Sequence, residues 1–164
     1  MDRVRRRGAV LLFAVAGAIY VIDRLTKVWA ERTLPGDPIE IIRGVLTLRF
    51  TTNSGGAFSL GGSAPWLFAT ATIIVSTLIV ATAFRHRVGP SAVALGLILG
   101  GALGNLTDRA VRGPGLSGRV VDFVDLHVWP IFNAADAAIV IGALVLAVLS
   151  LRTDRASRRV TRGA

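Results

Sequence analysis

Long apolar stretches, each about the length of a helix, are separated by more polar segments along this chain. Each of four apolar stretches supplies the roughly 20 helical residues needed to cross the hydrocarbon core of a bilayer. The pattern therefore predicts an all-α integral membrane protein with four transmembrane helices. The first apolar run is followed by charged residues and lacks a small-residue cleavage site. We therefore expect it to span the membrane and not to be a cleaved signal peptide. The predicted helices are approximately 8–30, 64–84, 88–107 and 134–151.

The segment between the first two predicted helices has a different pattern. Ile, Val, Thr and Phe recur from Ile39 to Thr52, and a glycine-rich turn follows at Gly55, Gly56, Gly61 and Gly62. This composition predicts a small β element at the membrane surface. The sequence shows no internal repeat, so we expect one membrane domain, 1–164, that ends in a basic cytoplasmic tail at 152–164.

Basic residues flank the apolar stretches and set the expected orientation. The 164-residue chain is 52% hydrophobic and carries a net charge of +9, with a mean hydropathy of +0.61. In a soluble protein this charge would suggest a nucleic-acid partner. Here the Lys and Arg excess lies at the two ends and in the 85–87 turn, as the positive-inside rule produces. We therefore expect cytoplasmic termini, extracytoplasmic loops at 31–63 and 108–133, and no nucleic-acid partner.

The third predicted helix carries a stripe of glycines. Gly96, Gly100 and Gly104 stand four residues apart, which allows another helix backbone to approach closely. Asp108 extends the stripe by one more step. The stripe predicts helix packing, and it places an acidic group at the end of the packed face.

Four of the ten acidic residues fall at or near the predicted outer ends of helices: Asp23, Asp108, Asp122 and Asp136. Ionisable groups at membrane depth are costly and indicate a functional site. Structural interpretations remain open beside the functional one. Asp23 can pair with Lys27 four residues later, and Asp108 with Arg109 can anchor the end of the third helix at the interface.

The spacing of Asn133 and Asp136 is that of a helix cap, with Asn133 as N-cap and Asp136 at N3. Spacing alone favours this capping role for Asp136. Asp122 lies in the apolar segment 120–123, where an unpaired carboxylate is costly. Asp125 lies nearer the polar loop, and we expect it to be solvated.

The Cys and His content of the chain limits the kinds of catalytic site that it can form. The chain has no Cys and only two His, His86 and His127, which the predicted topology places on opposite sides of the membrane. A metal centre or a Ser-His-Asp triad is therefore not expected. A carboxylate pair is what remains for hydrolysis. A small proton-coupled transporter or channel component is the alternative, since such proteins also place carboxylates in helices.

Five short blocks occur in an order that resembles the type II (lipoprotein) signal peptidases of bacteria. The resemblance covers roughly residues 10–150, and five blocks in one order across four helices are far more specific than any one of them. The blocks are Asp23-Arg24-Leu25-Thr26-Lys27, Asn53-Ser54-Gly55-Gly56-Ala57-Phe58, Gly104-Asn105-Leu106-Thr107-Asp108-Arg109, Val120-Val121-Asp122-Phe123 and Phe132-Asn133-Ala134-Ala135-Asp136.

The resemblance implies an intramembrane aspartic endopeptidase of the bacterial cytoplasmic membrane. Its substrates would be prolipoproteins whose Cys carries diacylglycerol, cut on the amino side of that Cys. We also expect no cofactor and no metal, membrane lipid as a partner, and a monomer. Matched by motif, Asp122 and Asp136 are the catalytic pair, which replaces the capping preference for Asp136. The positions that match binding or supporting residues are Asp23, Lys27, Asn53, Gly55, Asn105, Asp108, Arg109 and Asn133.

Overall fold

Four long helices make up most of the structure, a computed structural model that describes residues 3–54, 65–86 and 88–162, with the side chains of 65 and 153–162 outside that description. All four contain windows long and apolar enough to cross a membrane, which confirms the predicted membrane fold. The helices are α1 (Arg3–Thr33), α2 (Pro65–Thr82), α3 (Pro90–Val111) and α4 (Ala134–Arg162).

Three helices extend beyond the bounds predicted from hydropathy. Helix α1 is longer at both ends, and α3 continues to Val111. The segment predicted as a basic tail, 152–164, is helical as far as Arg162. Hydropathy marks where a helix leaves the apolar core, whereas Arg and Ala sustain helical conformation beyond that point.

Helix α3 lies between α1 and α4, and its glycines allow both contacts. A Cβ on Gly100 would lie 2.5 Å from the carbonyl oxygen of Ala16 on α1, and one on Gly96 would lie 2.6 Å from that of Leu12. Gly101 faces the other neighbour, because its Cβ would lie 2.5 Å from the carbonyl oxygen of Ala135 on α4. The predicted packing role of the glycine stripe is confirmed.

A three-stranded antiparallel sheet covers one end of the helices. Its strands are β1 (Ile39–Ile42), β2 (Leu46–Asn53) and β3 (Val120–Asp125), in the order β1-β2-β3. The first two confirm the predicted β element, but β3 was not predicted. Phe123 of β3 packs with Ala30 and Leu34 at the end of α1.

The sheet, the carboxyl-terminal ends of α1 and α3 and the amino-terminal end of α4 therefore meet at one end of the molecule. This arrangement brings together segments that are far apart in sequence. Asp23 of α1, for example, accepts a hydrogen bond from the backbone N–H of Ala135 at 3.1 Å. The polar motif residues belong to these converging segments.

Candidate active site

Asp122 of β3 and Asp136 in the first turn of α4 are joined through Asn133. The Asn133 amide Nδ2 donates to Asp122 Oδ1 at 2.6 Å, and its backbone N–H donates to Asp136 Oδ2 at 3.3 Å. The backbone N–H of Asp136 in turn donates to Asn133 Oδ1 at 2.9 Å. The predicted helix cap is therefore present, and the same cap holds Asp136 beside Asp122.

A cleft of about 210 Å³ opens beside the two carboxyls. Polar side chains from β2, β3, α3 and α4 form one part of its wall, and apolar side chains from the β3–α4 loop and from α4 form the rest. An extended peptide can lie against such a wall with its amide groups next to the acids. The lining residues are Asn53, Asn105, Arg109, Val120, Asp122, Trp129, Pro130, Ile131, Phe132, Asp136, Ile139 and Val140.

Asp122 is only 2% exposed, and its ionisation is strongly perturbed. Burial, together with the smaller effect of the Asp136 charge, raises the pKa of Asp122 to about 7. Hydrogen bonds from Asn133 and Asn53 oppose this effect by stabilising the anion. Asp122 can therefore hold a proton near neutral pH, which an ordinary aspartic acid does not.

Two further amide side chains contact the acids. Asn105 of α3 donates from Nδ2 to Asp136 Oδ1 at 2.7 Å. Asn53 of β2 pairs in register with Val120, and Thr51 pairs with Asp122, so Asn53 and Asp122 lie on the same face of the sheet. Each carboxyl of the pair thus has its own amide neighbour in addition to the shared Asn133.

A buried ion cluster lies directly behind Asn105. The Lys27 ammonium contacts Asp23 Oδ2 at 2.9 Å and Asp108 Oδ2 at 2.9 Å, and all three side chains are fully buried. It also donates to Asn105 Oδ1 at 2.8 Å. The predicted pairing of Asp23 with Lys27 is confirmed, and the pair is part of a larger cluster that reaches the site through Asn105.

Asp108 differs from its predicted role at the interface. It lies inside α3, is fully buried, and accepts from the Val121 backbone N–H at 3.3 Å, which ties α3 to β3. Arg24 and Arg112 also contact its Oδ1, and Arg112 pairs with Glu31. The anchoring interpretation is wrong because the glycine stripe brings α1 close enough for Lys27 to reach Asp108.

Arg24, Arg112 and Glu31 were missed as members of this cluster. Arg24 and Arg112 look like ordinary interfacial charges in the sequence. The position of Arg24, next to Asp23 in a helix that faces the glycine stripe, was the signal available for it. The contact of Arg24 with Asp108 depends on the pairing of α1 with α3, which hydropathy does not specify. Arg112 lies four residues after Asp108, so helical spacing was the signal available for that contact.

Arg109 is 6% exposed and lines the cleft. Its Nη1 donates to the backbone carbonyl of Asn105 at 3.3 Å. Within the described part of the chain, its buried Nε–H has no hydrogen-bond partner. Arg109 is therefore also buried, and not interfacial as predicted.

The prediction that Asp125 is solvated is wrong. Its side chain is 9% exposed, accepts from Arg49 Nε at 2.7 Å and accepts from the His127 backbone N–H at 2.8 Å. The His127 hydrogen bond and the Arg49 charge lower the pKa of Asp125. Asp125 is thus an ionised structural group, unlike Asp122.

Gly55 lies outside the described residues. His86 follows α2, whereas His127 follows β3 and contacts Thr47 Oγ1 at 3.0 Å, so the two His lie in different regions. Among the described residues, no group of three His, Cys, Asp or Glu side chains is arranged to hold a metal ion.

The family described as Signal peptidase (SPase) II matches residues 15–152. The chain belongs to the signal peptidase II family. Among similar proteins, the lipoprotein signal peptidase of Rhodococcus jostii (strain RHA1) is 43% identical over 150 residues, 90% of this chain and 76% of that protein. The lipoprotein signal peptidase of Mycobacterium avium (strain 104) is 44% identical over 155 residues, 92% of this chain and 83% of that protein.

Solved structures of bacterial membrane enzymes share this fold. A bacterial membrane enzyme solved by the in meso method at 2.3 Å resolution has a TM-score of 0.75 and 30% identity, and the match covers 86% of this chain and 87% of that one. A second, solved at 1.9 Å, has a TM-score of 0.69 and 28% identity over 85% and 92% of the two chains. This signal peptidase II is therefore a peptidase and a bacterial membrane protein, and the transporter alternative is not favoured.

Proposed function

We propose that this signal peptidase II is an aspartic endopeptidase that removes signal peptides from prolipoproteins, with Asp122 and Asp136 as its catalytic pair. The observation that carries the proposal is the meeting of these two carboxyls, from a strand and a helix, at the wall of one cleft. Asn133 contacts both of them. Asp125, the other acidic residue of β3, is instead paired with Arg49.

The proposed chemistry needs one ionised and one protonated carboxyl. The ionised partner takes a proton from a water molecule as the water oxygen bonds to the scissile carbonyl carbon, while the protonated partner gives its proton to the carbonyl oxygen. A tetrahedral diol results. When the C–N bond breaks, the first carboxyl returns its proton to the leaving nitrogen and the second regains its own from the diol. Each turnover consumes one water and restores both acids.

The neighbouring polar groups have supporting roles in this proposal. Asn105 and Asn133 hold the acids by the hydrogen bonds described above, and Asn53 contacts Asp122 from the sheet. Arg109 lines the same cleft, where its positive charge lies near a bound substrate and can stabilise negative charge that develops on the scissile carbonyl. Asp23, Lys27 and Asp108 hold α1, α3 and α4 in the positions that bring these groups together.

The surroundings of Asp136 suit a lipidated substrate. An apolar groove of about 310 Å³ lies beside Asp136, along α4 and the β3–α4 loop. It shares Trp129, Phe132, Asp136 and Val140 with the catalytic cleft. We infer that the enzyme cuts on the amino side of a Cys that carries diacylglycerol. Acyl chains held in the bilayer then fix the height of the scissile bond beside the acids, and positioning of this kind lowers the barrier by several kcal/mol.

The orientation of the site follows from the charges. The acids lie at the end of the molecule opposite the 85–88 connection, where Arg85 and Arg87 lie in the sequence. By the positive-inside rule, both termini and that connection are cytoplasmic and the acids face outwards. We propose that the enzyme works as a monomer with lipidated prolipoproteins and membrane lipid as its partners, because one chain supplies both acids.

The decisive experiment compares one precursor with and without its diacylglyceryl group. Single-turnover rates are measured in the same detergent with purified enzyme and identical peptide sequence. We expect efficient cleavage before the lipidated Cys and a rate at least about 100-fold lower without the lipid. Equal rates would refute the lipid requirement, and absence of cleavage of the lipidated form would refute the proposed substrate.

A further inference from the structure

Lys27 fixes the orientation of the Asn105 amide. The three acceptors around Lys27 Nζ are Asp23, Asp108 and Asn105 Oδ1, and they match the three N–H donors of an ammonium group. An ammonium has no acceptor, so the amide must present its oxygen to Lys27. Asn133 Nδ2 approaches the same oxygen at 3.2 Å. The Asn105 amide nitrogen therefore faces Asp136 and cannot exchange places with the oxygen.

Asp136 is consequently surrounded by donors. Its Oδ1 faces Asn105 Nδ2 at 2.7 Å, and its Oδ2 faces the Asn133 backbone N–H at 3.3 Å. Both groups donate only. Both hydrogen bonds are stronger to a carboxylate than to a neutral carboxylic acid, so together they favour the ionised form of Asp136.

Asp122 has a different environment. Its Oδ1 accepts from Asn133 Nδ2, whose orientation is fixed because Asn133 Oδ1 accepts from the Asp136 backbone N–H. The second amide neighbour of Asp122 is Asn53. An amide carries an acceptor as well as donors, so Asn53 can turn its oxygen towards a protonated Asp122. Asn105 cannot do the same for Asp136 because Lys27 holds its oxygen.

We infer that the proton shared by the pair resides on Asp122 Oδ2, that Asp136 is the ionised base, and that Lys27 is a positioning residue that sets this division by orienting Asn105. The inference rests on the proposed function and assigns its two roles. Asp136 then takes the proton from water, and Asp122 gives its proton to the carbonyl oxygen.

The test uses two matched amide-to-acid substitutions and the pH dependence of kcat/KM. Asn105→Asp replaces the donor beside Asp136 by an oxygen, which opposes ionisation of the base. We expect the acidic limb of the profile to shift to higher pH by at least about one unit, which lowers kcat/KM about tenfold at low pH. Asn53→Asp places a carboxylate beside Asp122, which opposes loss of its proton. We expect the alkaline limb to move up by a similar amount.

Each outcome decides the inference. The opposite pattern, with Asn105→Asp moving the alkaline limb and Asn53→Asp the acidic limb, assigns the proton to Asp136 and overturns it. Movement of both limbs in each variant also overturns it, because the proton is then not localised. Either result leaves the aspartic mechanism intact, whereas cleavage by Asp122→Asn or Asp136→Asn enzyme would refute the mechanism itself.

A second variant keeps the test available if Asn105→Asp does not fold, as judged by its thermal unfolding midpoint in detergent. Asn105→Ala removes the donor from Asp136 without adding charge. We expect the acidic limb to move in the same direction by a smaller amount, while the alkaline limb stays in place. An unchanged acidic limb in folded Asn105→Ala enzyme overturns the inference.

Discussion

Gly101→Ala connects helix packing to catalysis. The added Cβ would lie 2.5 Å from the Ala135 carbonyl oxygen and 2.9 Å from Ile139 Cγ1. The first of these is a backbone atom and cannot turn away, so α4 must retreat by roughly 1 Å to restore an ordinary contact. Overpacking of this kind costs about 1–3 kcal/mol of unfolding free energy. Asp136 follows Ala135 directly, and Asn105 lies one turn after Gly101, so the same displacement stretches their 2.7 Å hydrogen bond.

We expect Gly101→Ala to lower kcat/KM about 100-fold, since a misplacement of roughly 1 Å has that order of effect. The assay is cleavage of a lipidated precursor in detergent, with the thermal unfolding midpoint measured on the same preparation. Gly17→Ala is the matched control, because a Cβ there meets no atom within 4 Å. If the two variants have equal activity and equal unfolding midpoints, the close packing of α3 on α4 does not position Asp136.

Three further predictions test other parts of the account. Cleavage should persist in excess chelator, because the acids activate water without a metal; loss of activity that zinc or another cation restores would overturn this mechanism. Single Cys residues placed at positions 2 and 160 of this Cys-free sequence should be labelled only from the cytoplasmic side, and labelling from outside would reverse the topology. Asp122→Asn should raise the unfolding midpoint, and should raise it more at pH 8 than at pH 5. The pKa of Asp122 is about 7 in the folded protein and 3.8 ordinarily, so ionisation of Asp122 destabilises the folded protein increasingly as the pH rises between these values. An equal change at both pH values would contradict the assigned pKa.

The sequence was sufficient to predict the four spans, because runs of apolar residues report directly on the bilayer. It also predicted that the Gly96, Gly100 and Gly104 stripe packs against a helix, since small residues at a spacing of four leave one interpretation. Strand β3 was not predicted, although Val120, Val121 and Val124 favour a strand. The segment is short, and its strand character depends on pairing with β2, from which it is separated by two helices.

The site was predicted unevenly for a related reason. The motif residues were identified from family resemblance, but residue spacing alone assigned Asp136 to a cap. The structure shows that Asn133 makes the cap and contacts Asp122 at the same time, so the two interpretations are compatible. Arg24 and Arg49 could not be assigned partners, because their contacts with Asp108 and Asp125 join segments that are far apart in the sequence.

The central claim is that Asp122 and Asp136 together carry out the cleavage. The most direct measurement is the single-turnover rate of purified Asp122→Asn and Asp136→Asn enzymes on a lipidated precursor, with Asp125→Asn as the matched control. Asn preserves the shape of each side chain but neither carries the proton nor accepts one as a base. We expect cleavage by the first two variants to fall below detection at normal expression and folding, while Asp125→Asn retains most of its activity. Substantial turnover by folded Asp136→Asn enzyme would contradict the account and leave that residue as a helix cap.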